Sequence, residues 1–179
     1  LLQLPDGDLL GIGGKLGDQY FVRYSSEGQL TDHWRFQGPE FTFITDAMTA
    51  NDGDAVFTRG VVTTQGSVQK FSYVAKMNCT TRQPAWYKNL SHPTRNVHTW
   101  HLTENPVTQL ISVFGRVANP GLPQSPTDEV VLLAFSPATG DILAQKNYRI
   151  GTVPFVRASA WVNNDLYAVG GNYNTNTPM

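Results

Sequence analysis

The sequence predicts an all-β fold built from short repeated sheets, and two observations support this. One pattern, a polar residue followed by an apolar strand and a glycine six positions on, occurs four times, at 8–14, 54–60, 109–115 and 165–171. No window of helical length has apolar residues at the 3.6-residue spacing of a helix, so helix should be scarce.

Each repeat has room for four strands. Residues that favour tight turns, such as Asp6-Gly7 and Asp52-Gly53, precede the repeated pattern. The next strands, rich in β-branched and aromatic residues, are expected at 20–24, 68–74 and 130–135. Third strands are expected at 29–36, 77–82 and 141–148, and strands leading into the following repeat at 40–46, 97–102 and 158–162.

Four strands per repeat are typical of the blades of a β-propeller, and so is the period, because the pattern starts at 8, 54, 109 and 165. A single partial propeller over 1–179 would comprise repeats at approximately 4–39, 40–96 and 97–157 and a partial one at 158–179. About three and a half blades cannot close a ring, since propellers need four to eight. We therefore expect a part of a larger propeller, or one that another chain completes.

Two segments carry a family resemblance. The segment 132–144, with Thr139-Gly140-Asp141 before an apolar strand, resembles the quinoprotein-like (PQQ-like) propeller repeat, although Ser136 stands where that repeat prefers Asp. The first repeat, 4–34, is similar to related bacterial propeller repeats that open on Asp-Gly. The resemblance implies a propeller fold and transfers no activity.

Composition excludes several partners. A net charge of -1 and a pI near 6.5 provide no basic surface for nucleic acid. The longest apolar run, 130–135, is far too short to insert into a membrane. The first residues include neither an initiator Met nor a signal peptide, so we expect the chain to begin within a longer protein.

Cys79 is the single cysteine, so a disulfide would need a partner outside this segment or in another chain. Asn78 and Asn89 each begin an N-glycosylation sequon. These features predict an extracellular or cell-surface glycoprotein.

Two groups of residues suggest a metal. His92, His98 and His101 lie close in sequence, but His98 and His101 should face opposite sides of a strand, which favours a structural role. The carboxylate pairs Asp6/Asp8 and Asp52/Asp54 supply two ligands each, too few for calcium, and an Asp-Gly turn explains them.

The run 11–14 resembles part of a dinucleotide-binding motif, yet such a motif opens a helix and a strand is expected here. No serine lies in a nucleophile elbow. We therefore predict no catalytic residue, no metal and no cofactor.

Four tryptophans, Trp34, Trp86, Trp100 and Trp161, lie near strand ends. Packing between blades is the favoured role, and an exposed platform for sugars or peptides is the alternative.

These expectations favour a non-catalytic structural or protein-interaction propeller domain, with a protein partner or further blades of the same chain completing it. One alternative is a fragment of a quinoprotein-like or hydrolase enzyme whose active site lies outside the segment. The other is a carbohydrate-binding propeller.

Overall fold

The computed structural model describes residues 1–15, 18–37, 42–61, 72–119, 128–149 and 154–172. All regular structure in these ranges is β-strand, which confirms the all-β class. Among them, no helix is long and apolar enough to cross a membrane.

The strands form four antiparallel sheets, three with four strands in sequential order and one with two. Sheet 1 contains β1 (Leu2–Gln3), β2 (Leu9–Lys15), β3 (Asp18–Tyr24) and β4 (Leu30–Gln37). Sheet 2 contains β5 (Thr42–Thr49), β6 (Ala55–Val61), β7 (Ser72–Asn78) and β8 (Gln83–Leu90). Sheet 3 contains β9 (Asn96–Glu104), β10 (Ile111–Ala118), β11 (Glu129–Phe135) and β12 (Ile142–Tyr148). Sheet 4 is the hairpin of β13 (Pro154–Val162) and β14 (Asp165–Asn172).

The strand expected at 68–74 lies in part outside the described residues, and β7 covers its described part, 72–74. The prediction of a strand at 77–82 is wrong, because β7 ends at Asn78 and β8 begins at Gln83. The Asn78 Oδ1 accepts hydrogen bonds from the amides of Thr80 and Thr81, which closes a turn where a strand was expected.

The third occurrence of the repeated pattern, at 109–115, is displaced by one residue from its structural equivalent at 54–60. In sheet 2 the turn before β6 closes with Ala50 N donating to Asp54 O, whereas in sheet 3 Asn105 N donates to Leu110 O. The second turn is one residue longer, so Leu110 and not Gln109 corresponds to Asp54. Gly115 consequently corresponds to Arg59 rather than to Gly60.

The first strands of sheets 2, 3 and 4 each contain a β-bulge at the same place. Thr45, Trp100 and Arg157 are the extra residues, each lacking a partner in the register with the next strand. A bulge bends its strand and redirects a side chain, and bulges are common beside binding sites. This repeated irregularity positions the candidate site.

The core lies between successive sheets. One cluster joins sheets 1 and 2 through residues such as Phe21, Phe57 and Met77, and another joins sheets 2 and 3 through residues such as Val56 and Phe135. Sheet 2 is therefore covered on both faces, which explains why β6 and the first six residues of β7 are buried almost without alternation. A smaller cluster joins sheets 3 and 4.

Candidate functional site

The two Asp pairs are held by basic side chains. Arg23 on β3 donates from Nε to Asp8 Oδ2 at 2.7 Å and pairs through Nη2 with Asp6. The hydrogen bond to Asp8 is the main cause of a raised Arg23 pKa. In sheet 2, Lys76 pairs with Asp52 and lies 3.8 Å from Asp54.

Lys76 also joins two sheets. Its side chain is only 5% exposed, and its Nζ donates to the Pro137 carbonyl of sheet 3 at 3.2 Å. Burial, more than the neighbouring charge of Asp52, raises the pKa of Asp54. The pairs thus form ion clusters with Arg23 and Lys76, and the described residues contain no group of three or more metal-ligating side chains.

Replacing Lys76 with methionine is expected to lower the free energy of unfolding by about 2 kcal/mol. The loss arises mainly at Asp54, whose carboxylate is left without the neighbouring ammonium group, whereas water can still solvate the half-exposed carboxylate of Asp52. Urea unfolding monitored by tryptophan fluorescence measures this. Lys88→Met is the control, since the Lys88–Asp141 pair is 37% and 62% exposed and should matter by less than about 1 kcal/mol. Equal losses in the two variants would contradict the structural role of Lys76.

Trp34 and Trp86 lie within the packed interfaces. The Trp34 ring stacks on Phe21 with centroids 5.1 Å apart. Trp86 is buried, stacks with Phe135 at 6.3 Å, and donates from Nε1 to the Pro137 carbonyl at 3.0 Å. Both side chains therefore contribute packing rather than an exposed platform.

Trp100 and Trp161 have a different setting. Trp161 lines a cleft between β12 and sheet 4, and its Nε1 is buried without a partner among the described residues. Trp100 is half-buried and lines a larger cleft between the first strands of sheets 2, 3 and 4.

The prediction that His98 and His101 face opposite sides of a strand is wrong. His98 lies opposite Arg116, and His101 lies opposite Phe114, two positions earlier on β10. The bulge at Trp100 adds one residue between the histidines, so both lie on the same face of sheet 3. His92 lies in the loop after β8, where its Nδ1 accepts from Thr94 N at 3.3 Å.

His101 contributes to the larger cleft. Its Nδ1 lies 2.9 Å from Asp46 Oδ2, and the same oxygen accepts from Leu102 N at 2.8 Å. The other oxygen, Asp46 Oδ1, accepts from Ala47 N at 2.9 Å. Asp46 therefore has donors on both oxygens.

The cleft has a volume of about 660 Å³, within the range of small-ligand pockets. Its walls include all three bulge residues, together with His101, Arg116 and Phe155. Arg116 pairs at 2.9 Å with Asp128, which is fully buried. Arg157 is exposed, with its guanidinium 5.3 Å from the centre of the Phe155 ring. We call the cavity that these residues line the bulge cleft.

A buried polar network that was not predicted from the sequence lies between sheets 1 and 2. Arg59 Nη1 donates to the Tyr73 hydroxyl at 2.8 Å, and that hydroxyl donates to Gln19 Oε1 at 2.9 Å. Burial lowers the pKa of Arg59. All three are at most 1% exposed, so this network stabilises the interface rather than meeting a ligand.

The glycines of the run 11–14 lie within β2, which pairs with β3. The next element in the described part of the chain is strand β3, so these glycines lack the strand-to-helix setting that the dinucleotide-binding motif requires.

Cys79 is a free, half-buried thiol in the turn after β7. Burial is the main cause of its raised pKa. Because the thiolate is the reactive form, we expect the Cys79 thiol to react with iodoacetamide more slowly than the thiol of free glutathione does at about pH 8. The rate for Cys79 should rise only at higher pH. A rate equal to that of glutathione would contradict this environment.

The two sequons differ in accessibility. Asn78 caps its turn through Oδ1, which accepts from the amides of Thr80 and Thr81. Asn89 is exposed near the end of β8. Of the two, Asn89 is better placed to accept a glycan.

No family model matches the chain, and no curated protein is similar to it. Among solved structures, the chain is similar to a protein of unknown function from Bacteroides caccae, with 11% identity, coverage of 89% of this chain and 70% of the other, and a TM-score of 0.34. The resemblance to quinoprotein-like repeats stays a prediction.

Proposed function

We propose that the chain is part of a β-propeller that serves as a non-catalytic interaction or structural domain of a larger extracellular protein. The placement of the first strands of sheets 2, 3 and 4 supports a radial arrangement, since β5 contacts β1 and β2 of sheet 1 and also β9, and β9 contacts β13. The repeating four-stranded meanders support it as well.

The observation that carries the proposal is the uncovered outer strand of sheet 3. Trp86 on β8 is covered by the turn before β12, and Asp32 on β4 pairs at 2.7 Å with Arg82 in the turn before β8. An outer strand therefore meets the last turn of the next sheet. On β12, by contrast, all seven residues are exposed.

Only two strands of sheet 4 are described, and these two leave β12 uncovered. An apolar cleft of about 450 Å³ lies between sheets 3 and 4, with Phe114, Tyr148 and Leu166 in its walls. Tyr167 and Val169 on β14 are 58% and 69% exposed. Two further strands, paired to β14, would extend sheet 4 over β12, and they would come from a partner or from further sequence of the same protein. Tyr167 and Val169 alternate with the cleft residues Leu166 and Ala168, so they lie on the opposite face of sheet 4, which a further sheet would cover.

Hydrogen exchange of the protein from its native source tests the proposal. We expect the outward-facing amides of β14 to be protected about as strongly as those of β10, which is paired on both sides. Rapid exchange at β14 alone would contradict a partner at this edge.

Extracellular location has a separate test. We expect glycan mass on Asn89 in native material, with Asn78 as the internal comparison, because its side chain is held by hydrogen bonds. Unmodified Asn89 in native material would contradict this location.

The carbohydrate-binding alternative is favoured by one observation, the position of Trp100 in the wall of the bulge cleft.

A further inference from the structure

We propose that the bulge cleft binds a small carboxylate-bearing sugar, with Arg157 contacting the carboxylate and Trp100 the sugar ring. This ligand site is additional to the proposed interaction role. It does not depend on what covers β12 and β14.

The geometry of three strands creates the site. A regular strand alternates its side chains, whereas each bulge adds a residue and redirects one side chain. Because the bulges in β5, β9 and β13 have equivalent positions, Thr45, Trp100 and Arg157 meet in one cleft. Three sheets thus contribute a hydroxyl, an aromatic ring and a cation.

The charges favour an anion. The carboxylate of Asp46 already accepts from two backbone amides and lies against His101, so both of its oxygens have partners within the protein. Asp128 is fully buried against Arg116. Arg157, in contrast, is exposed and has no carboxylate partner in the described part of the chain. Its guanidinium offers two parallel N–H donors, the geometry that a carboxylate accepts.

A ring-shaped ligand suits the remaining walls. Trp100 is half-buried and lines the cleft, and aromatic faces pack well against the C–H face of a sugar. The Thr45 hydroxyl donates to the Thr58 carbonyl at 3.1 Å, which leaves its oxygen able to accept a sugar hydroxyl. The volume of about 660 Å³ accommodates one or two sugar units.

Isothermal titration calorimetry tests the proposal with three probes: glucuronate, glucose and inorganic sulfate. We expect glucuronate to bind at least about tenfold more tightly than glucose, because a charged hydrogen bond is lost with the neutral sugar. Sulfate should bind more weakly than glucuronate, because it cannot contact Trp100. If glucose bound as tightly as glucuronate, the contact between Arg157 and a carboxylate would be overturned. If sulfate bound as tightly as glucuronate, the contact between Trp100 and the sugar ring would be overturned.

Two variants locate the site. Arg157→Gln is expected to weaken glucuronate binding at least about tenfold. Trp100→Ala is expected to weaken the binding of both glucuronate and glucose. Arg35→Gln is the matched control, since Arg35 is 63% exposed on sheet 1 and lies outside the cleft. Thermal unfolding confirms that each variant is folded. Unchanged binding in Arg157→Gln, or no binding of glucuronate to the unmodified protein, would overturn the proposal while leaving the hydrogen-exchange test of β14 unaffected.

Discussion

Replacing Gly115 with alanine is expected to destabilise the protein by about 3 kcal/mol, at the upper end of the effect of overpacking. A Cβ at this position would lie 2.4 Å from the His98 carbonyl oxygen. That oxygen belongs to the backbone of β9, beside the bulge, so it cannot move aside as a flexible side chain could. Urea unfolding at equilibrium measures the loss.

Gly13→Ala is a matched control for this variant. Gly13 occupies the same position in sheet 1, and a Cβ there would meet nothing within 4 Å. The control should change the free energy of unfolding by less than about 1 kcal/mol, since only the freedom of the unfolded backbone changes. Similar losses in both variants would contradict the close approach of β9 and β10.

Replacing Trp86 with alanine is expected to cost about 3–5 kcal/mol, the usual range for a buried tryptophan. The variant loses the stacking on Phe135 and the hydrogen bond to Pro137, and it leaves a cavity between sheets 2 and 3. A Cβ at Gly140 would lie 2.5 Å from the Trp86 ring, so the neighbouring turn packs directly on this side chain. Thermal and urea unfolding both report the loss.

Tyr87→Ala tests whether burial accounts for the effect. Tyr87 is the next residue on β8 and is 53% exposed. Its replacement should cost less than about 1 kcal/mol. A loss comparable to that of Trp86→Ala would show that the two sheets are not joined through Trp86.

The strands were largely predictable because their signals are local. Segments such as 130–135 combine apolar and β-branched residues, and they lie within or close to observed strands. The turn after Asn78 was missed because its capping depends on which amide the side chain reaches, and an apolar Met77 just before it resembled a strand start. Likewise, one extra residue in the turn before β10 displaced the third repeat without a change in composition.

The candidate site was less predictable because it depends on contacts between distant segments. Arg23 and Lys76 are each one strand away from the Asp pairs that they neutralise. Asp46 and Arg157 were not predicted as site residues, since a bulge leaves no residue pattern of its own. The one local signal is a glycine inside a strand, at Gly115 and Gly170, where backbone from the bulged strand approaches closely.

The most direct test of an incomplete propeller is a crystal structure of the protein purified from its native source. We expect two further strands paired to β14, with the turn between them packed on β12 near Lys146. Lys146 occupies the position that Lys88, which pairs with Asp141, has in sheet 2. A native protein in which β14 is an unpaired edge and β12 faces solvent would show that the propeller is not completed at this edge.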